Sequence, residues 1–279
     1  MAAAVLLMAV AMSLIPLGDT AGKLLAENHG FSSAFIGWAR FCVGALAAVP
    51  FLALNWRSLG CLRDWRIYLR GIFLTLGVLC IVTALQTEDI GTVFGAFFVG
   101  PILSYALSVL LLGERVSAAR SVLLGVGFLG VLLVAKPGFG MTVGLGFAVA
   151  AGVFYGMYLT SSRWLAGAAP AGLLMLSQLV VGSLVLSPVV AVSWPAPGAW
   201  PVGLLLLSGL ASFLGNLLLI VAYRFAPATS LAPFVYFQLI AATGLGVLVW
   251  GDWPDALALA GLGLLIGSGL GSLALRKPA

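Results

Sequence analysis

Apolar residues run along this chain in ten continuous stretches separated by short polar segments. Each covers about 17–25 residues, the length a helix needs to cross a hydrocarbon layer roughly 30 Å thick. They fall at about 3–25, 33–54, 67–87, 91–112, 118–135, 142–164, 170–192, 202–225, 228–250 and 255–275. None alternates as a strand does, and all far exceed the roughly 9–11 residues of a barrel strand. The pattern predicts an all-α integral membrane protein of ten transmembrane helices. The longest polar interruptions, 56–66 and 194–201, leave no stretch for a soluble domain between the spans. The first apolar run is expected to be a membrane helix and not a secretory signal, because no Lys or Arg precedes Lys23.

Displaced by 138 residues, the chain matches itself without a gap. Gly18 falls on Gly156, Gly44 on Gly182, Gly60 on Gly198, Gly71 on Gly209, Gly77 on Gly215, Gly113 on Gly251 and Gly125 on Gly263. Pro50 meets Pro188 and Trp56 meets Trp194. With 36 glycines in 279 residues, roughly two such glycine coincidences are expected by chance. Each copy carries five spans, and five is odd, so a gapless repeat sets the second copy upside down in the bilayer. The expected organisation is two inverted five-helix repeats, residues 1–137 and 138–279. Two interchangeable halves give two faces that open in turn, which is the architecture of secondary transporters.

Composition agrees. With 62% hydrophobic and 8% charged residues and a mean hydropathy of +1.19, the chain is far from a soluble domain, in which about a quarter of the residues are charged. The net charge of +5 is unevenly placed. With the N-terminus inside, Arg57, Arg63, Arg66, Arg70, Arg115, Arg120, Arg163, Arg224, Arg276 and Lys277 face the cytoplasm, and only Lys23 and Lys136 face outward. This distribution predicts cytoplasmic termini. The same scatter over several loop ends argues against nucleic acid as a partner. It leaves a lipid bilayer and a small-molecule substrate, with the chain acting as a monomer or a homodimer. Cys42, Cys61 and Cys80 lack paired or metal-type spacing, and His29 stands alone in an outer loop, so no metal site and no cofactor are expected.

Two glycine patterns need placing. The run Gly125-Val-Gly-Phe-Leu-Gly130 matches a dinucleotide fingerprint, but it lies inside an apolar span with no preceding strand, so its glycines are read as helix-packing positions. Gly263, Gly267 and Gly271 form a small-residue ridge on the last span, suited to close packing within the molecule or across a dimer.

Between Gly91 and Pro137 lie Pro101 in mid-span, Leu110-Leu-Leu-Gly-Glu-Arg115 closing the fourth span, Gly125 and Gly130, and a terminal Lys136-Pro137. This segment resembles the signature of the EamA domain, the repeat unit of the drug/metabolite transporter superfamily. The second copy repeats it more loosely as Val247-Leu-Val-Trp-Gly-Asp252 followed by Gly263, and it has Leu239 where the first has Pro101. The resemblance covers the whole chain. It implies a ten-helix fold in a bacterial inner membrane and export of small metabolites, often amino acids. The missing second proline suggests unequal gating by the two halves.

The candidate functional residues are those that hydrocarbon does not tolerate. Asp19 lies about 8 Å inside the outer end of the first span, and Arg40 about 10 Å inside the second, at 1.5 Å per residue. Either charge alone in hydrocarbon costs about 2.5–3.5 kcal/mol, so matching depth on neighbouring helices suggests a pair. Lys23, one turn beyond Asp19, is a competing partner. The pair either staples two helices or forms a proton or substrate site. Glu114 with Arg115 is read as capping the fourth span. Pro16 removes a hydrogen bond to Met12 and is expected to kink or loosen the first span; its counterpart in the repeat is Phe154. Further candidates for the substrate path are Thr83, Phe98, Tyr105, Phe154, Tyr155, Tyr158, Asn216, Tyr236 and Gln238, with Thr75, Phe97 and Ser104 beside them. The amides of Asn216 and Gln238 are expected to face the bundle interior, because lipid would leave them unsatisfied. Aromatic faces beside amides suit a small zwitterionic or amphipathic ligand. The expected function is alternating-access transport of small metabolites, amino acids foremost, with Pro16, Arg40, Pro101 and Glu114 in structural or gating roles. Efflux of amphipathic drugs and transport of a sugar or nucleobase are the alternatives within transport. A channel is a third class, and a membrane enzyme is disfavoured because no catalytic constellation lies at membrane depth.

Overall fold

The computed structural model describes residues 2–49, 56–88, 90–114, 118–135, 142–192, 194–195, 201–251 and 253–274. Arg115, Lys136, Pro137, Asp252, Arg276 and Lys277, on which parts of the sequence reading rested, lie outside the described residues. The described chain is helical: α1 (Ala2–His29), α2 (Ser33–Ala48), α3 (Trp65–Ala84), α4 (Ile90–Phe97), α5 (Val99–Leu112), α6 (Ala118–Ala135), α7 (Val143–Trp164), α8 (Ala171–Val192), α9 (Val202–Phe225), α10 (Ala228–Val235), α11 (Phe237–Trp250) and α12 (Ala256–Ala274). A 3-10 segment, Trp56–Arg63, precedes α3. No strand occurs among the described residues, only an isolated bridge between Ala166 and Ala169. Among the described residues, seven helical runs are long and apolar enough to cross a membrane, two of them (Val93–Leu112 and Ser230–Trp250) taken across a one-residue interruption, and three shorter apolar helices accompany them.

Local chemistry sets the helix ends. Ser32, Thr142 and Asp255 accept backbone N–H bonds from Phe35, Leu145 and Ala258 at 3.3, 3.0 and 2.9 Å, satisfying donors that have no intrahelical partner. Gly113 and Gly251, counterparts in the repeat, close α5 and α11 with φ of 63° and 76°. Only glycine enters that left-handed region without strain, which explains why both copies keep it.

The apolar stretches at 91–112 and 228–250 are each broken, not continuous. α4 ends before Phe98 and α5 starts after it; α10 ends before Tyr236 and α11 starts after it. These two break points are one repeat apart, and the two rings touch, with centroids 5.5 Å apart in an edge-to-face arrangement. Leu239 in place of Pro101 therefore does not remove the break from the second half. The asymmetry expected from the proline is absent at this level. Nor does Pro16 interrupt α1, which runs unbroken from Ala2 to His29.

Helices pack in exchanged pairs. α1 lies on α9 and α7 on α3, while α2 meets α8 and α6 meets α12. The core is largely apolar, but the outer surface is apolar too, and a few polar side chains lie inside. Leu6, Leu46, Leu110, Val143 and Leu248 are exposed, while Asp19, Arg40, Arg70, Gln178, Asn216 and Gln238 are buried. An apolar outer surface, with the few polar side chains turned inward, is what a lipid environment selects.

Glycines admit the closest contacts. A Cβ on Gly100 would stand 2.5 Å from the Gly152 carbonyl oxygen, and one on Gly156 would stand 2.6 Å from that of Gly100. Gly130 likewise meets the Gly261 carbonyl, and Gly127 meets the Tyr236 ring. Within the molecule, the ridge on α12 makes little of the close packing expected of it. Gly263 and Gly267 have nothing within 4 Å, and only Gly271 meets a neighbour, Leu123.

Candidate functional site

A cavity opens among α1, α2, α3, α7, α8 and α9, with Phe97 and Gln238 at the helix breaks completing its wall. Its sides are mostly apolar, from Ile15, Phe41, Leu74, Val78, Phe97 and Phe213, and its polar groups are few. Its volume for the centres of water-sized molecules is about 50 Å³, room for a few waters at roughly 10–15 Å³ each.

On one side stands the Asp19–Arg40 pair. Arg40 Nη1 donates to Asp19 Oδ1 at 2.7 Å, Nη2 to the Gly18 carbonyl at 2.9 Å, and Nε to Ser208 Oγ at 3.2 Å. Ser208 in turn donates to the Gly18 carbonyl at 2.9 Å. Both charged side chains are buried, at 3% and 5% exposure. Burial on this scale holds together only when the ions are paired and their remaining hydrogen-bonding groups are met, and here α1, α2 and α9 meet them. Lys23, the competing partner, turns away from Asp19. It lies 3.6 Å from Glu27 and 5.3 Å from the centre of the Trp250 ring.

The opposite side carries amides. Tyr158 Oη lies 3.0 Å from Asn216 Oδ1 and 3.2 Å from Gln178 Oε1, so its one proton serves two acceptors. Asn216 Nδ2 donates to the Ser212 carbonyl at 2.9 Å, and Gln178 Nε2 points to Met175 Sδ at 3.1 Å. Gln238 is fully buried, and neither its Nε2 nor its Oε1 has a hydrogen-bond partner in the protein; the same holds for Ser212 Oγ. Such groups are rare in folded proteins, because each forfeits its hydration with nothing in exchange.

Of the residues expected along the substrate path, the cavity gathers Asp19, Tyr155, Asn216 and Gln238, with Arg40 beside them. Tyr158 stands behind it as a bridge. The others lie elsewhere. Phe98 and Tyr236 bury their rings against each other, and Thr83 turns its hydroxyl back to the Leu79 carbonyl. Tyr105 bonds Ser121 at 2.7 Å between α5 and α6, and Phe154 packs where α7 crosses Gly77. Pro101 lies buried in α5, outside the cavity. Glu114 does more than cap its helix: Arg163 Nε donates to it at 2.8 Å and the Ala228 amide at 3.2 Å, tying the ends of α5 and α7 to the start of α10.

Sequence reasoning missed Gln178, Ser208, Ser212 and Arg70. Gln178 is a mid-helix amide on the same footing as Asn216, and it is the repeat counterpart of Arg40. Arg70, which its sequence position groups with the cytoplasm-facing basic residues, is fully buried in α3. Its Nε donates to Ser162 Oγ at 2.9 Å, Nη1 to the Leu174 carbonyl at 3.1 Å and Nη2 to Tyr158 Oη at 3.2 Å.

Three comparisons bear on this geometry. The EamA-like transporter family matches residues 2–136 and 142–273. Among curated proteins, the S-adenosylmethionine uptake transporter of Rickettsia conorii is 26% identical over 253 residues, covering 89% of this chain and 84% of that protein. The Pseudopaline exporter CntI of Pseudomonas aeruginosa is 30% identical over 211 residues, covering 71% and 70%. The riboflavin transporter of Rhizobium johnstonii is 26% identical over 256 residues, covering 88% and 82%. A solved crystal structure superposes with a TM-score of 0.76 over 96% of both chains at 18% identity, a likeness of fold.

Proposed function

The chain belongs to the EamA-like transporter family, and from that premise we propose that it carries small zwitterionic metabolites, amino acids or their derivatives, through the Gln238 cavity. Members of the family and the relatives above are transporters, so this is a multi-pass membrane transporter of small molecules and not an enzyme. The observation that carries the finer reading is Gln238: an amide with a donor and an acceptor, fully buried at the cavity and bonded to nothing in the protein. A ligand presenting an ammonium or hydroxyl donor and a carbonyl or carboxylate acceptor satisfies both atoms at once. The Phe97 and Tyr155 rings, with centroids 4.8 Å apart, add an aromatic wall that favours a cationic or flat group.

Alternating access across a bacterial inner membrane is the mechanism we assign to it, with ten spans in two inverted repeats. Three features support that assignment. Helix boundaries recur at the 138-residue offset, with Ile90–Phe97 and Ala228–Val235 in register. The two break residues face each other, as groups beside a twofold axis do. The helix pairs α1–α9 and α7–α3 exchange under the same offset. The uneven basic residues orient both termini to the cytoplasm. A reporter active only outside the cytoplasm, fused after Ala279, is then silent; strong activity overturns the orientation.

Transport assays on Gln238→Leu and Asn216→Leu test the cavity. Each is expected to lower flux by about tenfold or more, the scale of one or two lost hydrogen bonds, with detergent stability kept or, for Gln238→Leu, raised. Unchanged flux in both variants removes these amides from the substrate path.

A further inference from the structure

The two halves carry matching polar clusters with unmatched charge. The 138-residue offset maps Arg40 onto Gln178, Ser208 onto Arg70 and Asp19 onto Met157. The structure joins each set: Arg40 to Ser208 and Asp19 in one, and Arg70 to Gln178 through the Tyr158 hydroxyl in the other. The first cluster holds its own counter-ion. In the second, Met157 stands where the first has its carboxylate, and no carboxylate among the described residues lies within ion-pair distance of Arg70. Glu27, Asp64 and Glu114 are engaged by Lys23, Arg66 and Arg163, and Glu88 accepts from Thr142. Arg70 is thus a permanent positive charge at 0% exposure, held by two hydroxyls, one carbonyl and the face of the Tyr158 ring, whose centre lies 4.9 Å from the guanidinium carbon. A guanidinium in that setting is incompletely compensated, because dipoles replace hydration but do not neutralise charge.

We propose that Arg70, with Ser162 and Tyr158, is a docking subsite for the carboxylate group of the transported molecule. The inference rests on the transport reading above and adds a substrate feature to it. Arg70 lies about 8 Å inside α3, five residues from its start, one hydrogen-bonded layer behind Gln178 and Asn216 in the cavity wall. Tyr158 is the gate between them. Its single proton is shared between Gln178 and Asn216, so moving its hydroxyl towards an incoming carboxylate gives up a divided hydrogen bond and not two full ones. The carboxylate then accepts from the guanidinium fork in the paired geometry such groups favour. One unneutralised cation selects a monoanion, so a carboxylate fits and a phosphate dianion does not.

Matched ligand pairs that differ only in this group provide the test: L-phenylalanine and L-phenylalaninamide, and S-adenosylmethionine and its decarboxylated form. Competition for transport is measured in proteoliposomes with wild type, Arg70→Gln and Arg70→Lys. In wild type the carboxylate-bearing member is expected to compete about ten- to a hundredfold better, the range for a hydrogen bond to a charged group. In Arg70→Gln the ratio falls to near one, and Arg70→Lys retains an intermediate preference. The ratio isolates recognition from any loss of folded protein, since both members meet the same molecules. Three results overturn the proposal: a wild-type preference absent for both pairs, a preference that survives in Arg70→Gln, or inhibition by inorganic phosphate exceeding that by carboxylates. If Arg70→Gln does not fold, the wild-type ratio and the Arg70→Lys ratio decide alone, an unchanged ratio in the lysine variant counting against it. Failure here with flux still sensitive to Gln238→Leu leaves the cavity reading standing; flux insensitive to Gln238→Leu removes that reading separately.

Discussion

Asp19→Asn is expected to destabilise the protein by about 3–5 kcal/mol, because it strands the Arg40 guanidinium in the bundle without a counter-charge, held only by neutral acceptors: the new amide oxygen, the Gly18 carbonyl and the Ser208 hydroxyl. Arg40→Gln strands the Asp19 carboxylate with a similar loss. The double variant, which removes both charges together, is expected to recover most of the stability, since breaking a buried pair is more damaging than replacing it. Thermal unfolding in detergent reads the three variants side by side. If Asp19 also moves a proton or grips an ammonium group, the double variant is stable but transports nothing. Flux by the double variant with near-normal affinity removes Asp19 as a coupling residue. A stable, fully active Asp19→Asn variant contradicts the structural role itself.

That pair was legible in the sequence for a simple reason. A charge at membrane depth is expensive, and two opposite charges at one depth on neighbouring helices find each other. Asn216 and Gln238 were legible on the same ground. Arg70 was not, because it lies close enough to a helix end to be counted among the interfacial basic residues that fix orientation. Only the three-dimensional packing of α3 against α7 and α8 shows that it is sealed in. The aromatics were the least legible. These helices are apolar on the lipid side and the protein side alike, so no periodicity distinguishes the face of Tyr155, at the cavity, from that of Phe154, beside it and outside. The helix breaks escaped for a different reason: Pro101 drew attention to one half, whereas both breaks fall one repeat apart with the Phe98 and Tyr236 rings in contact.

Gly152→Ala is the second substitution expected to act strongly. Pro101 has no N–H to give the Phe97 carbonyl, four residues earlier, and that carbonyl lies against α7 at Gly152, where any Cβ collides with it. The obstacle is backbone, which cannot swing aside as a flexible side chain can. With Gly100 and Gly156 completing the contact, α5 and α7 meet backbone to backbone with no room for a Cβ. A loss of about 1–3 kcal/mol is expected for alanine, the usual penalty of overpacking, and failure to assemble for leucine. Gly267→Ala is the control, since nothing lies within 4 Å of the position, and it is expected to leave stability within about 0.5 kcal/mol. Equal melting temperatures for Gly152→Ala and Gly267→Ala contradict the close α5–α7 approach.

The same contact bears on how the molecule works. Phe97 supplies both the carbonyl that presses on α7 and a ring in the cavity wall. A shift of α4 therefore moves the cavity surface directly.

The central claim, alternating-access transport of small zwitterionic metabolites through the Gln238 cavity, is tested most directly by flux into proteoliposomes. Labelled S-adenosylmethionine, amino acids, nucleosides and sugars are offered to wild type and Gln238→Leu, with the vesicles empty or preloaded with the same compound, and with or without a proton gradient. The account predicts saturable uptake of molecules bearing both an amine and a carboxylate, faster into preloaded vesicles, and reduced about tenfold or more in Gln238→Leu. Ion current without any substrate, or uptake that is unsaturable and indifferent to Gln238, contradicts it.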